Sequence, residues 1–505
     1  MHMQLLHNNK VVIFDRTDFG PSNLTLPAGK CRFNDEAIPE DCTAHSVLYD
    51  VASNAFRPLA VQTDVWCSSG AVNPNGTLIQ TGGYHAGDHK IRLFTPCDDD
   101  DQCDWIELMQ NLTVQRWYAS DHILPDGRVI VVGGRRAFSY EFFPKNAKSV
   151  FYFPFLKETT DPKEENNLYP FLYLLPDGNL FVFANKRSII LDYVNDKIIK
   201  ELPVIPSEKR TYPATGSSIM LPLRLTNGGG AVVEVMVCGG AKGGAYVKAV
   251  KGSHVAASRS CGRILVFDPD PKWVMEDMPM GRVMSDMILL PTGDVIIMNG
   301  ATKGTAGWEC AVDPVLNPVM YYPNEPDLRK RFSVLNPTTI ARMYHSAAIL
   351  LPDGRILVGG SNPHVTYNFT NVRYPTELSL EAFAPPYLAP QYAYLRPSIL
   401  SVESLGSDNV ISYGQDFAIT FSLGVYQPAG EYMVTMVAPS FTTHSFGMNQ
   451  RLLVLYIVEL QQLSAFGYKV SVHAPPSANV APPGYYMVFL VHQGVPSHSV
   501  WIRLM

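Results

Sequence analysis

The sequence predicts an all-β protein: a seven-bladed kelch-type β-propeller over residues 1–390, followed by an immunoglobulin-like β-sandwich over residues 391–505. Three observations lead there. A turn motif of the form Leu-Pro-Asp-Gly, followed by an apolar run, recurs along the first four-fifths of the chain. Charged residues make up only 17% of the sequence, while glycine and proline number 37 and 39, a profile of short strands and tight turns rather than of helical bundles or disorder. After Glu381-Ala382-Phe383-Ala384-Pro385-Pro386-Tyr387-Leu388 the motif stops and shorter alternating strands take over.

The copies of the motif are Asn73 to Gly83, Leu124 to Gly134, Leu175 to Phe183, Leu290 to Met298 and Leu350 to Gly360, with a degenerate member from Leu221 to Gly240. Each reads as strand, Asx-Gly turn and buried apolar strand, often with a Gly-Gly exit. The copies fall roughly 50 to 60 residues apart, near the kelch spacing of one four-stranded blade per repeat. For the seventh blade, Ser46 to Val51 reads as an outer strand, and the stretch from Tyr367 to Phe383 is available to close the ring. Beyond Arg396-Pro397-Ser398-Ile399, strands separated by Pro, Ser and Gly give the sandwich, including a buried strand across Leu452 to Leu460 and another ending the run Pro482 to Val491.

A net charge of -6 and the absence of a Lys/Arg stripe argue against nucleic acid as a partner. No apolar run reaches the roughly 18 residues of a membrane span. The run Asp98 to Asp101 lacks the spacing of a calcium loop and reads as solvated. Cys31 and Cys42, Cys97 and Cys103, and Cys238 and Cys261 lie close enough in sequence for three local disulfides, leaving Cys67 and Cys310; no CxxC pair suggests zinc. Four sequons, at Asn23, Asn75, Asn111 and Asn368, together with those pairings, point to a secreted glycoprotein. Met1 to Leu6 has no basic segment or hydrophobic core of leader length, so a leader is expected to have been removed or truncated.

Tyr344 and His345 are adjacent, just upstream of one repeat. Neighbouring residues of a strand point to opposite faces, so both serve one metal only where the strand ends or bends. Cys67, in Val65-Trp66-Cys67-Ser68, and Tyr118, in Arg116-Trp117-Tyr118-Ala119, precede two other repeats in the same way. In a propeller such equivalent positions converge on the axis. His444, in Thr442-Thr443-His444-Ser445, would come from a loop of the second domain. Singly, each has a plain reading: Cys67 as a small buried hydrophobe, Tyr118 as blade packing, His444 as a hydrogen-bonded loop residue. His85 and His89 read as loop residues, since Thr81-Gly82-Gly83 precludes a helix that would join them.

Taken together, these residues and repeats resemble the copper radical oxidases of the galactose oxidase and glyoxal oxidase family, and Arg116-Trp117-Tyr118-Ala119-Ser120 resembles the glyoxal oxidase branch. The resemblance implies one copper ion and a thioether between Cys67 and Tyr118 that forms a protein-derived radical cofactor. It implies Tyr344 as axial ligand and base, with Tyr118, His345 and His444 equatorial. Two phenols that ordinarily ionise near about pH 10 need a cation to work as ligands, and two imidazoles with phenolates suit Cu(II). The activity so implied is oxidation of small aldehydes of the glyoxal or methylglyoxal type, as hydrates, to carboxylic acids, with O2 reduced to H2O2. A separate oxidant or peroxidase would activate the resting enzyme. Galactose oxidases place an indole over the cross-linked sulfur; here Arg136 falls at that place, with Phe138 or Tyr140 as substitutes, which speaks against a sugar substrate. The rival readings are a primary-alcohol or galactose-type oxidase and a non-catalytic propeller that binds a partner.

Overall fold

The computed structural model describes residues 1–27, 29–33, 38–97, 103–145, 150–403, 409–424 and 430–505; the Asp98 to Asp101 run lies outside them. Seven inner strands, His2–Leu5, Ser69–Val72, Ala119–Ile123, Phe171–Leu174, Gly216–Met220, Asp286–Leu289 and Ala347–Leu350, each head an antiparallel sheet. Ala119–Ile123 packs on both Ser69–Val72 and Phe171–Leu174, Asp286–Leu289 packs on both Gly216–Met220 and Ala347–Leu350, and Ala347–Leu350 packs on His2–Leu5.

The recurring motif is the turn between the inner strand and the next one out. In it the glycine amide donates back to the residue three before, as from Gly127 to Leu124 O (2.9 Å) and from Gly354 to Leu351 O (3.0 Å). Its glycine sits at φ near +80°, as at Gly127 (80°) and Gly354 (84°), which side chains disfavour. The aspartate carboxylate completes the turn, accepting from Arg128 N at 3.1 Å and Arg355 N at 2.9 Å.

The Gly-Gly exit has a different cause. A Cβ on Gly82 would meet Arg116 O at 2.1 Å, and one on Gly239 would meet Arg282 O at 2.4 Å. At these two exits the glycine lets the blade pass under the entry segment of the next. Those entry segments carry buried arginines whose guanidiniums donate to the exit of their own blade: Arg116 to Gly133 O (2.6 Å), Arg282 to Asn299 O (2.8 Å) and Arg342 to Gly360 O (3.1 Å).

The first blade differs from expectation. Residues 2–59 build a complete blade from His2–Leu5, Lys10–Phe14, Ser46–Asp50 and Ala55–Leu59, with Ser46–Asp50 third from the axis. The stretch reserved for closure instead supplies Leu380–Phe383, third strand of the blade that begins at Ala347. The apolar run from Leu452 also divides. Arg451–Leu455 is buried in one sandwich sheet, whereas Ile457–Gln462 is a largely exposed edge of the other, because the chain crosses between sheets at Tyr456.

The last propeller strand ends at Phe383, two 3-10 turns follow, and Ser398–Glu403 opens the sandwich. Its core lies between two sheets, with Ile419, Phe421, Val434, Met436, Val488 and Leu490 buried. Leu223–Arg224, on a propeller loop, pairs in parallel with Leu453 and Val454 and joins one sandwich sheet. In the other direction, the hairpin Phe441–Thr443 and Phe446–Met448 leaves the sandwich and pairs with the first inner strand, Met3 to Thr442 and Gln4 to Phe441. It packs against all of the other inner strands and so fills the axis. Side chains just beyond it take up inner-strand amides: Asn449 from Ile123 (2.8 Å) and Gln450 from Leu289 (2.7 Å).

Disulfides join Cys31 to Cys42, Cys97 to Cys103 and Cys238 to Cys261, the last across directly paired strands. Cys67 and Cys310 are free and buried. Among the described residues no helix is long and apolar enough to cross a membrane.

Candidate metal centre on the propeller axis

The blade-entry turns decide where the site side chains point. Cys67 (φ 52°), Tyr118 (69°), Tyr169 (48°) and His345 (64°) take left-handed conformations within two residues of their inner strands. Such a residue interrupts strand alternation, and this is how adjacent Tyr344 and His345 come to lie together, ring centroids 4.0 Å apart. Backbone hydrogen bonds lock successive turns, Tyr118 N to Cys67 O and Tyr169 N to Tyr118 O, both 3.0 Å. His444 (φ 47°) sits at the tip of the axial hairpin.

All five residues singled out in the sequence meet here. Cys67 Sγ lies 3.2 Å from His444 Nε2. Ligand atoms of Cys67, His345 and His444 fall within 4.8 Å of one another, and all three residues are buried. The ring of His444 is 5.1 Å from His345, 5.7 Å from Tyr344 and 6.0 Å from Tyr118. Four of the five come from the propeller and His444 from the sandwich hairpin. His85 and His89 stay apart from this cluster: His85 begins a 3-10 turn, and His89 Nδ1 pairs with Asp88 at 2.6 Å.

Burial drives the electrostatics. It pushes the Tyr118 and Tyr344 phenols and the Cys67 thiol well above their ordinary ranges, and holds the His345 and His444 imidazoles well below theirs. The imidazoles are therefore neutral, the metal-ligating form, and the phenols ionise only if a cation offsets their desolvation. Both ring nitrogens of His345 are buried without a hydrogen-bond partner, while Thr443 Oγ1 lies 2.7 Å from His444 Nδ1 and leaves Nε2 facing the cluster. An orphaned imidazole beside a second one and two phenols is a donor set that fits copper.

Other residues here had not been singled out. Tyr212 Oη lies 2.8 Å from Tyr344 Oη and 3.3 Å from Tyr118 Oη. Tyr169 stacks on His444 at 4.8 Å, and its hydroxyl donates to Ser68 O at 3.2 Å. Both carry a signal legible in hindsight. Arg210-Thr211-Tyr212 repeats the spacing of Arg116-Trp117-Tyr118 and Arg342-Met343-Tyr344 at a blade entry, and Tyr169 precedes its inner strand as Cys67 does.

Above the cluster opens a cavity of about 420 Å³, lined by Tyr118, Tyr212 and Tyr344 below and by Trp66, Trp117, Trp308, Arg135, Arg136 and Lys163 around its mouth, among others. Trp66 and Trp308 stack at 5.1 Å, with the Arg16 guanidinium 4.1 Å and 4.6 Å from their centroids. The expected covering of Tyr118 is revised. Tyr140 packs on Phe151 (4.9 Å) and donates to Asp196 (2.7 Å), and Phe138 belongs to the same inter-blade core, so neither reaches the axis. Arg136 lines the cavity mouth, whereas the rings nearest Tyr118 are Trp117 (4.5 Å) and Tyr212 (4.6 Å).

Residues 1–387 match the family described as glyoxal oxidase N-terminus, and residues 396–504 match the galactose oxidase-like Early set domain. The chain is 45% identical to aldehyde oxidase GLOX of Vitis pseudoreticulata, covering 100% of this chain and 94% of that protein. It is 46% identical to aldehyde oxidase GLOX1 of Arabidopsis thaliana, covering 98% and 81%. A solved fungal alcohol oxidase in complex with copper superposes with a TM-score of 0.75 at 20% identity, covering 100% of this chain and 96% of that one, a likeness of fold.

Proposed function

From a chain that belongs to the glyoxal oxidase family, we propose a copper radical oxidase that converts small aldehydes of the glyoxal or methylglyoxal type to carboxylic acids and reduces O2 to H2O2. The observation that carries the reading is the convergence of Cys67, Tyr118, Tyr344, His345 and His444 beneath one cavity. Tyr118, Tyr344, His345 and His444 would hold the ion. Residues 1–390 would supply three of these ligands and residues 391–505 the fourth. Copper, when bound, would supply the acceptor for one of the two electrons and the Lewis acidity that activates a substrate hydroxyl.

The chain's own residues do the rest. An aldehyde enters the cavity as its hydrate, past the packed indoles of Trp66, Trp117 and Trp308, to reach the phenols of its floor. Tyr344 Oη takes the proton of one hydrate hydroxyl, acting as general base. Tyr118, joined to Cys67 through a thioether, takes the hydrogen atom of the substrate carbon in its one-electron-oxidised form. The substrate loses two electrons and two protons, and both pairs end on O2 as H2O2. The product is the acid, whereas a primary alcohol would stop at the aldehyde. The sulfur substituent lowers the cost of removing an electron from the Tyr118 ring. A separate one-electron oxidant, such as a peroxidase, brings the resting protein into the active form.

Three disulfides fit an oxidising, extracellular location. The cationic side chains Arg135, Arg136 and Lys163 and a floor of three phenols suit a small hydrated aldehyde better than a sugar ring. Oxygen uptake and peroxide release by copper-loaded protein test the reading on methylglyoxal, glycerol and galactose. Turnover highest on methylglyoxal is expected. Preference for glycerol or galactose would assign an alcohol oxidase, and copper uptake without peroxide from any of the three would leave a binding propeller.

A further inference from the structure

Tyr118 must give up an electron before it can act on a substrate, and a file of rings leads from it to the surface. The Trp117 ring lies 4.5 Å from that of Tyr118 and 4.4 Å from that of Tyr84. Tyr84 is half-buried and stands outside the cavity lining, and the exposed His85 ring lies 3.8 Å from it. The Tyr84 backbone is fixed at the start of a 3-10 turn, where Tyr84 N donates to Asp64 O at 3.3 Å and Tyr84 O accepts from Gly87 N at 2.8 Å. A second branch, through Trp66 (4.9 Å from Trp117) and then Trp308 (5.1 Å from Trp66), is less suited to carry charge. The Arg16 guanidinium, on a side chain only 4% exposed, lies 4.1 Å and 4.6 Å from the centroids of Trp66 and Trp308. A cation on the face of a ring opposes positive charge on that ring, and most strongly away from water. Over Trp117 the corresponding cation, Arg135, is 5.4 Å away, 43% exposed and paired with Glu165 at 3.1 Å.

Resting on the proposed oxidase reading, we infer that Trp117 and Tyr84 form an electron relay through which a macromolecular one-electron oxidant, docked outside the cavity, converts Tyr118 to its working form. The oxidant takes one electron from Tyr84, whose phenolic proton passes to water. Tyr84 then regains an electron from Trp117 and a proton from water. Trp117 keeps its own proton, since its indole nitrogen is buried without a hydrogen-bond partner, and it is refilled by an electron from Tyr118. The sum is one electron passed from Tyr118 to the oxidant, with both relay residues returned to their starting state. Substrate and oxidant thereby use different entrances: a small hydrate fits a cavity of about 420 Å³, and a protein does not.

The test is Tyr84→Phe, which keeps the ring and removes the readily oxidised phenol. Intact mass and copper content come first: a wild type with no thioether would sink the oxidase reading itself, separately from this inference. Given the thioether and equal copper in both proteins, each is mixed with a haem peroxidase and H2O2 in the absence of aldehyde, and the Tyr118 radical is followed by absorbance and electron paramagnetic resonance. The variant is expected to form the radical at least about tenfold more slowly, a barrier higher by about 1.4 kcal/mol, while turnover per radical on methylglyoxal stays within about twofold of wild type. A second measurement covers the case that Tyr84→Phe does not fold. In Tyr118→Phe, which cannot refill the relay, a nitroso spin trap is expected on Tyr84 in peptide maps of the peroxidase-treated protein. Radical formation in Tyr84→Phe within about twofold of the wild-type rate, or a trap recovered on Trp308 and not on Tyr84, would overturn the inference.

Discussion

Removal of the Arg116 guanidinium tests how the propeller holds its site. Arg116 is fully buried and lies against fully buried Glu141, Nε to Oε1 2.9 Å. It also donates to Gly133 O (2.6 Å), Ser139 O (3.1 Å) and Ser139 Oγ (3.2 Å). In Arg116→Ala, Glu141 keeps only the amides of Thr113 (2.7 Å) and Val114 (3.3 Å) as partners. Breaking a buried pair by removing one partner costs about 3–5 kcal/mol, because the survivor is an uncompensated charge. The double variant Arg116→Met/Glu141→Gln removes that charge and should recover most of the loss. Urea unfolding followed by circular dichroism, with the slope compared between variants, measures both. A loss below about 1 kcal/mol in the single variant would refute the view that this pair is held by burial. So would a double variant no better than the single one.

Tyr344→Phe should keep the thioether but lose turnover by about 10²–10⁴-fold, since the base is gone while the redox unit remains; near-normal turnover would remove Tyr344 from that role. Gly82→Ala places a Cβ 2.1 Å from Arg116 O at φ +71° and should cost about 2–4 kcal/mol, read as a lowered unfolding midpoint; a neutral effect would contradict the tight blade crossing. Burial raises the Asp286 carboxyl from 3.8 to about 7, although Asn299 Nδ2 donates to it at 2.7 Å. The folded state therefore binds a proton that the unfolded state has released. The stability this gives is fully present below about 3.8 and is lost as pH rises through about 7. Asp286→Asn should remove a fall of stability of about 1 kcal/mol per pH unit between about pH 4 and 7, and an unchanged slope would show that the carboxyl is not buried in its acid form.

The parts of the fold visible in the sequence are those fixed by local chemistry. The Asp-Gly turns announce themselves because only glycine sits comfortably at φ near +80°, and the apolar runs because they are buried on both faces. The first blade was not visible in this way, since His2–Leu5 and Lys10–Phe14 meet through Asn8 and Asn9 without the Asp-Gly signature. Leu452 to Leu460 misled because hydrophobicity alone does not reveal where a chain changes sheets. At the site, Cys67, Tyr118, Tyr344 and His345 were legible from their place just before a repeat strand, and His444 only as a loop histidine of the second domain that the family resemblance brought in. Tyr212 lies in a blade whose motif is degenerate, and only the Arg-x-Tyr spacing marks it. The indole wall of Trp66, Trp117 and Trp308 depends on the distance between blade-entry loops, which no local pattern encodes.

The central claim, a radical cofactor made from the side chains of two neighbouring blades, is tested most directly by intact mass after exposure to copper and oxygen. Thioether formation removes two hydrogen atoms, so wild type should lose about 2 Da while Cys67→Ala and Tyr118→Phe do not. An unchanged mass in the wild type, with Cys67 still open to alkylation after unfolding, would contradict the claim.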